Sequence, residues 1–321
     1  MGREFFVSGI ELWRWWVEAR QQAIANAVPA TELDWLLQEL TGLDRLALRL
    51  ESFKTETAIP LKLPFSDLVC LWKRRLDERV PVQYLAGVAP WREFLLQVSP
   101  AVLIPRPETE CLIDLAIAAV EQQRHPPLNH QHNPSSLPPH PPYPLSPSLH
   151  WADLGTGSGA IALGLAKAFP KAKIHAVDCS ADALAIARHN AKKYHLSEQI
   201  QFYQGVWLEP LKHLKGTLSG IVSNPPYIPS AMLSDLQPEV VRHEPLLALD
   251  GGADGLDCIR YLVETAPAHL QAGGILLFEM MAGQAKAVTE LLHQQGRYKQ
   301  IQIHFDLAGI ERFALAYRAE I

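Results

Sequence analysis

From Trp151 onward, short apolar runs alternate with amphipathic stretches, and no other feature limits the fold as tightly. The runs fall at 151–154, 174–177, 200–203, 221–223 and 275–278, with helical patterns such as 181–194 and 257–270 between them. Short apolar runs bounded by turn signals read as buried strands, and the 3.6-residue period between them reads as helix. Strand–helix alternation of this kind builds an α/β domain of Rossmann-like form, a doubly wound, mostly parallel sheet with helices on both faces. Ligands in such sheets bind beyond the carboxyl ends of the strands, where the strand order reverses. The residues that carry chemistry should therefore follow the apolar runs directly.

The N-terminal part has a different pattern. From Glu11 to about Val80 the apolar residues keep a helical period. Thr31, with Asp34 three positions on, reads as a capping residue that opens a helix with Leu33, Leu36, Leu37 and Leu40 on one face, ended by Gly42. Ser66 or Asp67 is expected to open another, with Leu68, Leu71, Trp72 and Leu76 inward and the basic triplet Lys73, Arg74 and Arg75 on a solvated face. Pro81 and the alternating stretch 91–98 mark a change to extended chain, read as a hairpin leading into Ser99-Pro100. A helix follows, with Pro107 in its first turn, Glu108 and Glu110 near its positive end, and Leu112, Ile113, Leu115 and Ile117 as its apolar run. The expected organisation is a small helical domain over 1–90, a hairpin and linker over 91–105, and the α/β domain over 106–321.

That last domain is interrupted. Of the 25 prolines in 321 residues, nine lie in 125–150 together with five of the 13 histidines, and the segment has no charged residue. Proline removes backbone donors and fixes φ, so an extended, disordered, polyproline-II-like insertion without a core of its own is expected. Its histidines lack cysteine or carboxylate partners, and no metal is expected. Lys plus Arg number 29 against 34 Asp plus Glu, a net charge of -5, which argues against a nucleic-acid substrate. Cys70, Cys111, Cys179 and Cys258 lie far apart with no C-x-x-C pair and read as reduced packing residues. Glu4, Glu11 and Glu18 near the start fit neither a signal nor a transit peptide, and Phe6 stands where myristoylation needs Ser or Thr. A monomeric, cytoplasmic protein with no membrane partner is expected.

The glycine-rich turn Asp153-Leu154-Gly155-Thr156-Gly157-Ser158-Gly159-Ala160 closes the first apolar run and opens a helix, where a backbone without Cβ atoms and a helix N-terminus can approach a ligand. Asp178, at the end of the next run, is placed to hold ribose hydroxyls. These two features fit a nicotinamide or flavin enzyme and an S-adenosylmethionine enzyme alike. Asn224-Pro225-Pro226-Tyr227, after the strand ending at Ser223, separates them. The Asn224 side-chain oxygen and the Pro225 carbonyl can each accept one hydrogen of an NH2 group, and Tyr227 can stack on the planar group that bears it. This grouping resembles that of S-adenosylmethionine-dependent methyltransferases acting on exocyclic or side-chain amino groups.

A narrower resemblance runs through most of the chain after about Arg79. Pro81-Val82-Gln83-Tyr84-Leu85-Ala86-Gly87, Leu103-Ile104-Pro105-Arg106-Pro107-Glu108-Thr109-Glu110, the glycine turn, Asn224–Tyr227 and Arg242-His243-Glu244-Pro245 resemble the bacterial peptide chain release factor glutamine methyltransferases. The resemblance implies a seven-stranded methyltransferase sheet behind a helical substrate-docking domain. It implies S-adenosylmethionine as cofactor, S-adenosylhomocysteine as product, and the Gly-Gly-Gln glutamine of release factors as substrate. By position, Gly155, Thr156, Gly157, Ser158 and Gly159 would cradle the methionine part of the cofactor. Asp178 would hold its ribose and Trp207 would flank its adenine. Asn224, Pro225, Pro226 and Tyr227 would bind the glutamine amide, with Asn224 also near the cofactor. Arg106, Glu108, Arg242 and Glu244 would order loops at the substrate channel or form structural ion pairs. The chain departs from the family in the 125–150 segment and at Glu279-Met280-Met281, where a small residue is expected soon after the acid. Other readings are a glutamine methyltransferase for a ribosomal protein, a DNA or RNA adenine N6-methyltransferase, a non-catalytic release-factor-binding protein and, most distantly, a nicotinamide oxidoreductase.

Overall fold

The computed structural model describes residues 4–124 and 149–320. Most of the expected insertion, 125–148, lies outside the described residues; His150 opens a strand. The described residues fall into two compact units. One runs up to Ala89 and takes in Val98–Pro100 and Leu236–Glu244; the other holds Pro90–Gln97 and the described residues of Ala101–Asp235 and Pro245–Ile321.

The chain opens with β1 (Phe5–Val7), α1 (Gly9–Ala25), α2 (Ala30–Thr41), α3 (Arg45–Leu50), β2 (Ile59–Leu61), α4 (Phe65–Asp77) and α5 (Val82–Ala86). The helices bury one stripe each: Leu12, Trp16, Ala19 and Ala23 on α1; Leu33, Leu36, Leu37 and Leu40 on α2; Leu68, Trp72 and Leu76 on α4. These close on one another as a single core. Gly42 caps α2 in the left-handed conformation as expected, but Thr31 is not its N-cap. The helix begins two residues earlier, after Pro29, and α4 likewise begins after Pro64 rather than at Ser66 or Asp67. Proline sets the chain direction at both starts. The basic triplet is not a uniform solvated face. Arg75 is buried, with Nε 2.5 Å and Nη2 3.0 Å from the two oxygens of Glu32 and Nη1 2.9 Å from Glu239.

A hairpin of β3 (Val88–Trp91) and β4 (Phe94–Gln97) follows, opening three residues earlier than the alternation predicts. Then come α6 (Cys111–Arg124), β5 (His150–Leu154), α7 (Ala160–Ala168), β6 (Lys173–Asp178), α8 (Ala181–Lys193), β7 (Ile200–Gln204) and β8 (Leu218–Ser223). The chain ends with α9 (Pro238–His243), α10 (Asp257–Thr265), β9 (Leu270–Glu279), α11 (Ala285–Gln295), β10 (Tyr298–Phe305) and β11 (Glu311–Arg318). Seven strands form one sheet in the order β10-β11-β9-β8-β5-β6-β7. β9, β8, β5, β6 and β7 are parallel, and β11 and β10 close one edge antiparallel. This is the doubly wound sheet expected; β10 and β11 are additions that the apolar runs do not reveal.

Period-two alternation divides the sheet's side chains between two cores. Trp151, Val222, Ile275, Leu277, Phe313 and Leu315 face α6, α7 and the β3–β4 hairpin. Ala152, Leu154, Ile221, Leu276, Phe278 and Ala314 face α10 and α11. The cysteines depart from expectation. Cys70 and Cys179 are exposed, and Cys111 and Cys258 are only partly buried. Cys70 lies two residues from both Leu68 and Trp72 on α4, which turns it away from their buried stripe. Among the described residues no helix is long and apolar enough to cross a membrane, and no cluster suits a metal ion.

One buried group makes stability depend on pH. His175 in β6 is 2% exposed, with Nε2 2.9 Å from His150 Nδ1 and Nδ1 3.1 Å from the Tyr203 hydroxyl. Burial, then the neighbouring His150, His213 and Lys173, push its pKa from 6.5 down to about 4. Between those values the unfolded chain binds a proton that the native state refuses, so this group's contribution is lost as pH falls, by about 3 kcal/mol in all. In urea titrations the parent should lose about 3 kcal/mol more than His175→Gln between pH 6.5 and 4. Identical slopes would remove the imidazole from the account.

Candidate active site

Four parallel strand ends meet where the strand order reverses, since β5 has β6 on one side and β8 on the other. Gly155 follows β5, Asp178 ends β6, Asn224 follows β8 and Glu279 ends β9. The sheet therefore places side by side residues that are far apart in the chain.

The glycine turn is fixed from beneath by a buried carboxyl. Asp153 is fully buried, and its Oδ2 accepts from the Thr156 hydroxyl at 2.5 Å and from the Ala162 N–H at 2.9 Å. Burial pushes its pKa up to about 7. Thr156 and Ser158 turn inward and are buried; the Thr156 hydroxyl is spent on Asp153, and the Ser158 carbonyl accepts from Asn190. The open surface of the turn is thus left to the glycine backbone. Gly155, at φ 74°, takes a left-handed backbone that favours glycine, and the Trp207 ring stands 3.7 Å from where a Cβ would lie. Asp178 Oδ2 accepts from the Gly157 N–H at 2.9 Å, and Oδ1 accepts from the Ser180 N–H at 2.9 Å and the Cys179 thiol at 3.8 Å. Oδ2 keeps a lone pair.

The Asn224–Tyr227 segment is held by a second loop. The Ile228 N–H donates to Leu249, the Gly251 N–H to Ile228, and Gln284 Nε2 to the carbonyls of Tyr227 and Gly255. Gly255 has φ 76°, and a Cβ there would lie 2.3 Å from the Tyr227 carbonyl oxygen, so the two loops touch only because this residue is glycine. The held segment offers two acceptors. Asn224 Nδ2 donates to Thr109 Oγ1 at 3.1 Å. Among the described residues neither Asn224 Oδ1 nor the Pro225 carbonyl receives a hydrogen bond.

Two residues without an assigned role in the sequence reading complete the site. Thr109 is buried and donates to Glu279 Oε2 at 2.7 Å, while the Tyr227 hydroxyl donates to Glu279 Oε1 at 2.9 Å. Glu279 is 1% exposed; burial raises its pKa, opposed by its two donors and by Arg312. Burial, with Glu279 beside it, also holds the Tyr227 phenol protonated well above the usual range, so Tyr227 serves as a donor and ring, not as a base. Of the four residues expected to order loops, Arg106 and Glu108 lie in the unit that bears this site, and Arg242 and Glu244 in the helical unit.

A family model described as "Methyltransferase small domain" matches residues 143–243. A protein of Synechocystis sp. named "Release factor glutamine methyltransferase" is 52% identical over 311 residues, covering 97% of each chain. One of the same name from Thermosynechococcus vestitus is 47% identical over 317 residues, covering 97% of this chain and 99% of that one. Among solved structures, the hMettl16 catalytic domain in complex with MAT2A 3'UTR hairpin 6 aligns with a TM-score of 0.52 at 13% identity, over 83% of this chain and 86% of that chain, a likeness of fold alone. With about half its residues shared with such relatives along nearly its whole length, the chain belongs to the release factor glutamine methyltransferase family.

Proposed function

We propose that the chain transfers a methyl group from S-adenosylmethionine to the side-chain amide nitrogen N5 of the glutamine in the Gly-Gly-Gln motif of peptide chain release factors. The observation that carries this is the pair of adjacent acceptors, Asn224 Oδ1 and the Pro225 carbonyl, unpaired among the described residues beside the glycine turn and Asp178.

The residues present fit the cofactor. Gly155, Gly157 and Gly159 give a backbone surface without side chains, with Thr156 and Ser158 shaping it from within. Asp178 keeps acceptor capacity for a ribose diol, and Trp207 stands beside Gly155 as a flat apolar wall. Bound there, S-adenosylmethionine supplies an electrophilic methyl group on its sulfonium. An amide nitrogen is a poor nucleophile because its lone pair is delocalised, so orientation and electrostatics must do most of the work. Asn224 and Pro225 accept the two amide hydrogens and so favour positive charge on nitrogen as the new bond forms. Pro226 stiffens the turn and Tyr227 packs against the planar amide. The surplus proton leaves through an acceptor or to water; no dedicated base and no metal are required. Residues 1–90 are the docking domain for the release factor, and the enzyme acts as a cytoplasmic monomer.

Incubation with labelled S-adenosylmethionine and purified release factors, followed by peptide mass spectrometry, should place one methyl group on the Gly-Gly-Gln glutamine. Label in nucleic acid or a ribosomal protein, with none on that glutamine, would overturn the assignment.

A further inference from the structure

The wall behind Asn224 has a fixed hydrogen-bond direction, and the catalytic reading above does not use it. Glu279, at the end of β9, is buried and takes one bond on each oxygen, from the Thr109 hydroxyl at 2.7 Å and the Tyr227 hydroxyl at 2.9 Å. An ionised carboxylate can only accept, so both hydroxyl hydrogens point at it. A threonine hydroxyl has a single hydrogen. With that hydrogen on Glu279, the lone pairs of Thr109 Oγ1 remain, and the group that meets them is Asn224 Nδ2 at 3.1 Å. The Asn224 amide must then stand with its NH2 toward Thr109 and Oδ1 on the other side. The orientation follows from the count of donors and acceptors along the chain, which is the proper basis for assigning an amide.

We propose that Glu279 and Thr109 are positioning residues, a buried carboxylate and a hydroxyl relay that set the Asn224 side chain so that its oxygen, not its NH2, meets the substrate amide. This rests on the role given to Asn224 above and adds what determines its direction. Were no acceptor to stand at position 279, the Thr109 hydrogen would be released to the Asn224 oxygen. The asparagine would turn over, and its NH2 would oppose the glutamine NH2, donor against donor. Through its other oxygen the same carboxylate holds Tyr227, so both ends of the substrate-binding segment answer to one buried group. Glu279 is thus a working part of the site, although it begins the Glu279-Met280-Met281 stretch in which the sequence departs from the family pattern.

Thr109→Val keeps the shape and removes the relay; Thr109→Ser keeps the relay. Methylation of purified release factor should show kcat lowered about tenfold in Thr109→Val, the scale of a misdirected reacting group. KM for S-adenosylmethionine and for release factor should stay within about twofold, and Thr109→Ser should return kcat to near the parent value. Glu279→Met, which removes both acceptors in nearly the same volume, should also lower kcat. Parental kcat in Thr109→Val or in Glu279→Met overturns the proposal, as does a loss that Thr109→Ser does not repair. Should Thr109→Val fail to fold, Glu279→Met alone decides. If Asn224→Ala is inactive while Thr109→Val turns over normally, the relay fails and the assignment of Asn224 stands; if Asn224→Ala is itself normal, the fault lies with that assignment.

Discussion

Asn224→Ala is expected to lower kcat by about 10² to 10³-fold, the loss that follows removal of one preorganised polar group at a reacting centre. The fold should survive, because the segment is held through its backbone by Leu249, Gly251 and Gln284 rather than through the asparagine side chain. The effect belongs in kcat. In the proposed role Asn224 Oδ1 gains most when charge builds on the amide nitrogen, and an interaction that strengthens only then changes turnover rather than ground-state affinity. Single-turnover methylation of release factor, with the melting temperature as a control, measures this. A variant that methylates within about threefold of the parent would remove Asn224 from the mechanism.

The second large effect is on cofactor affinity. Asp178→Ala removes the carboxylate at the end of β6 that is proposed to hold a ribose diol and that pins the N–H groups of Gly157 and Ser180. A hydrogen bond to a charged group contributes about 1.5 to 3 kcal/mol, so loss of two corresponds to about 10² to 10⁴-fold weaker binding. Titration calorimetry with S-adenosylmethionine or S-adenosylhomocysteine should show that weakening, while kcat at saturating cofactor changes little. Unchanged affinity would assign Asp178 to loop geometry alone. The two variants separate the halves of the site, one acting on transfer and the other on binding.

The parts of the site that could be read from the sequence are those whose chemistry is written in adjacent residues. Gly155 to Gly159, Asp178 and Asn224 to Tyr227 each follow an apolar run directly, and the parallel sheet turns that local rule into a shared location. Pairings across long stretches of chain were not readable. Thr109 and Glu279 meet over a separation of 170 residues, and nothing near either one announces the other. Arg75 looked like one of three solvent-facing bases because its partners, Glu32 and Glu239, stand on other helices. β10 shows no continuous apolar run because Ile301 and Ile303 alternate with the polar Gln302 and His304. β1 and β2, three residues each, are too short for any period to show. Pro29 and Pro64 started their helices where Thr31 and Ser66 offered the stronger capping chemistry.

The place of β11 between β10 and β9 bears on how the enzyme is made. The Met280 N–H donates to the carbonyl of Arg312, and Phe313 stands opposite Glu279, so the carboxylate behind Asn224 is framed by a strand that comes far downstream of Asn224 in the chain. A nascent chain that has exposed the glycine turn, Asp178 and even Asn224 still lacks the strand that fixes Glu279. Elongation proceeds from the N-terminus at about 5 to 20 residues per second, so the glycine turn and Asp178 can form several seconds before the frame around Glu279 is complete. A chain cut before β11 would then keep the glycine turn and Asp178 and lack the frame around Glu279.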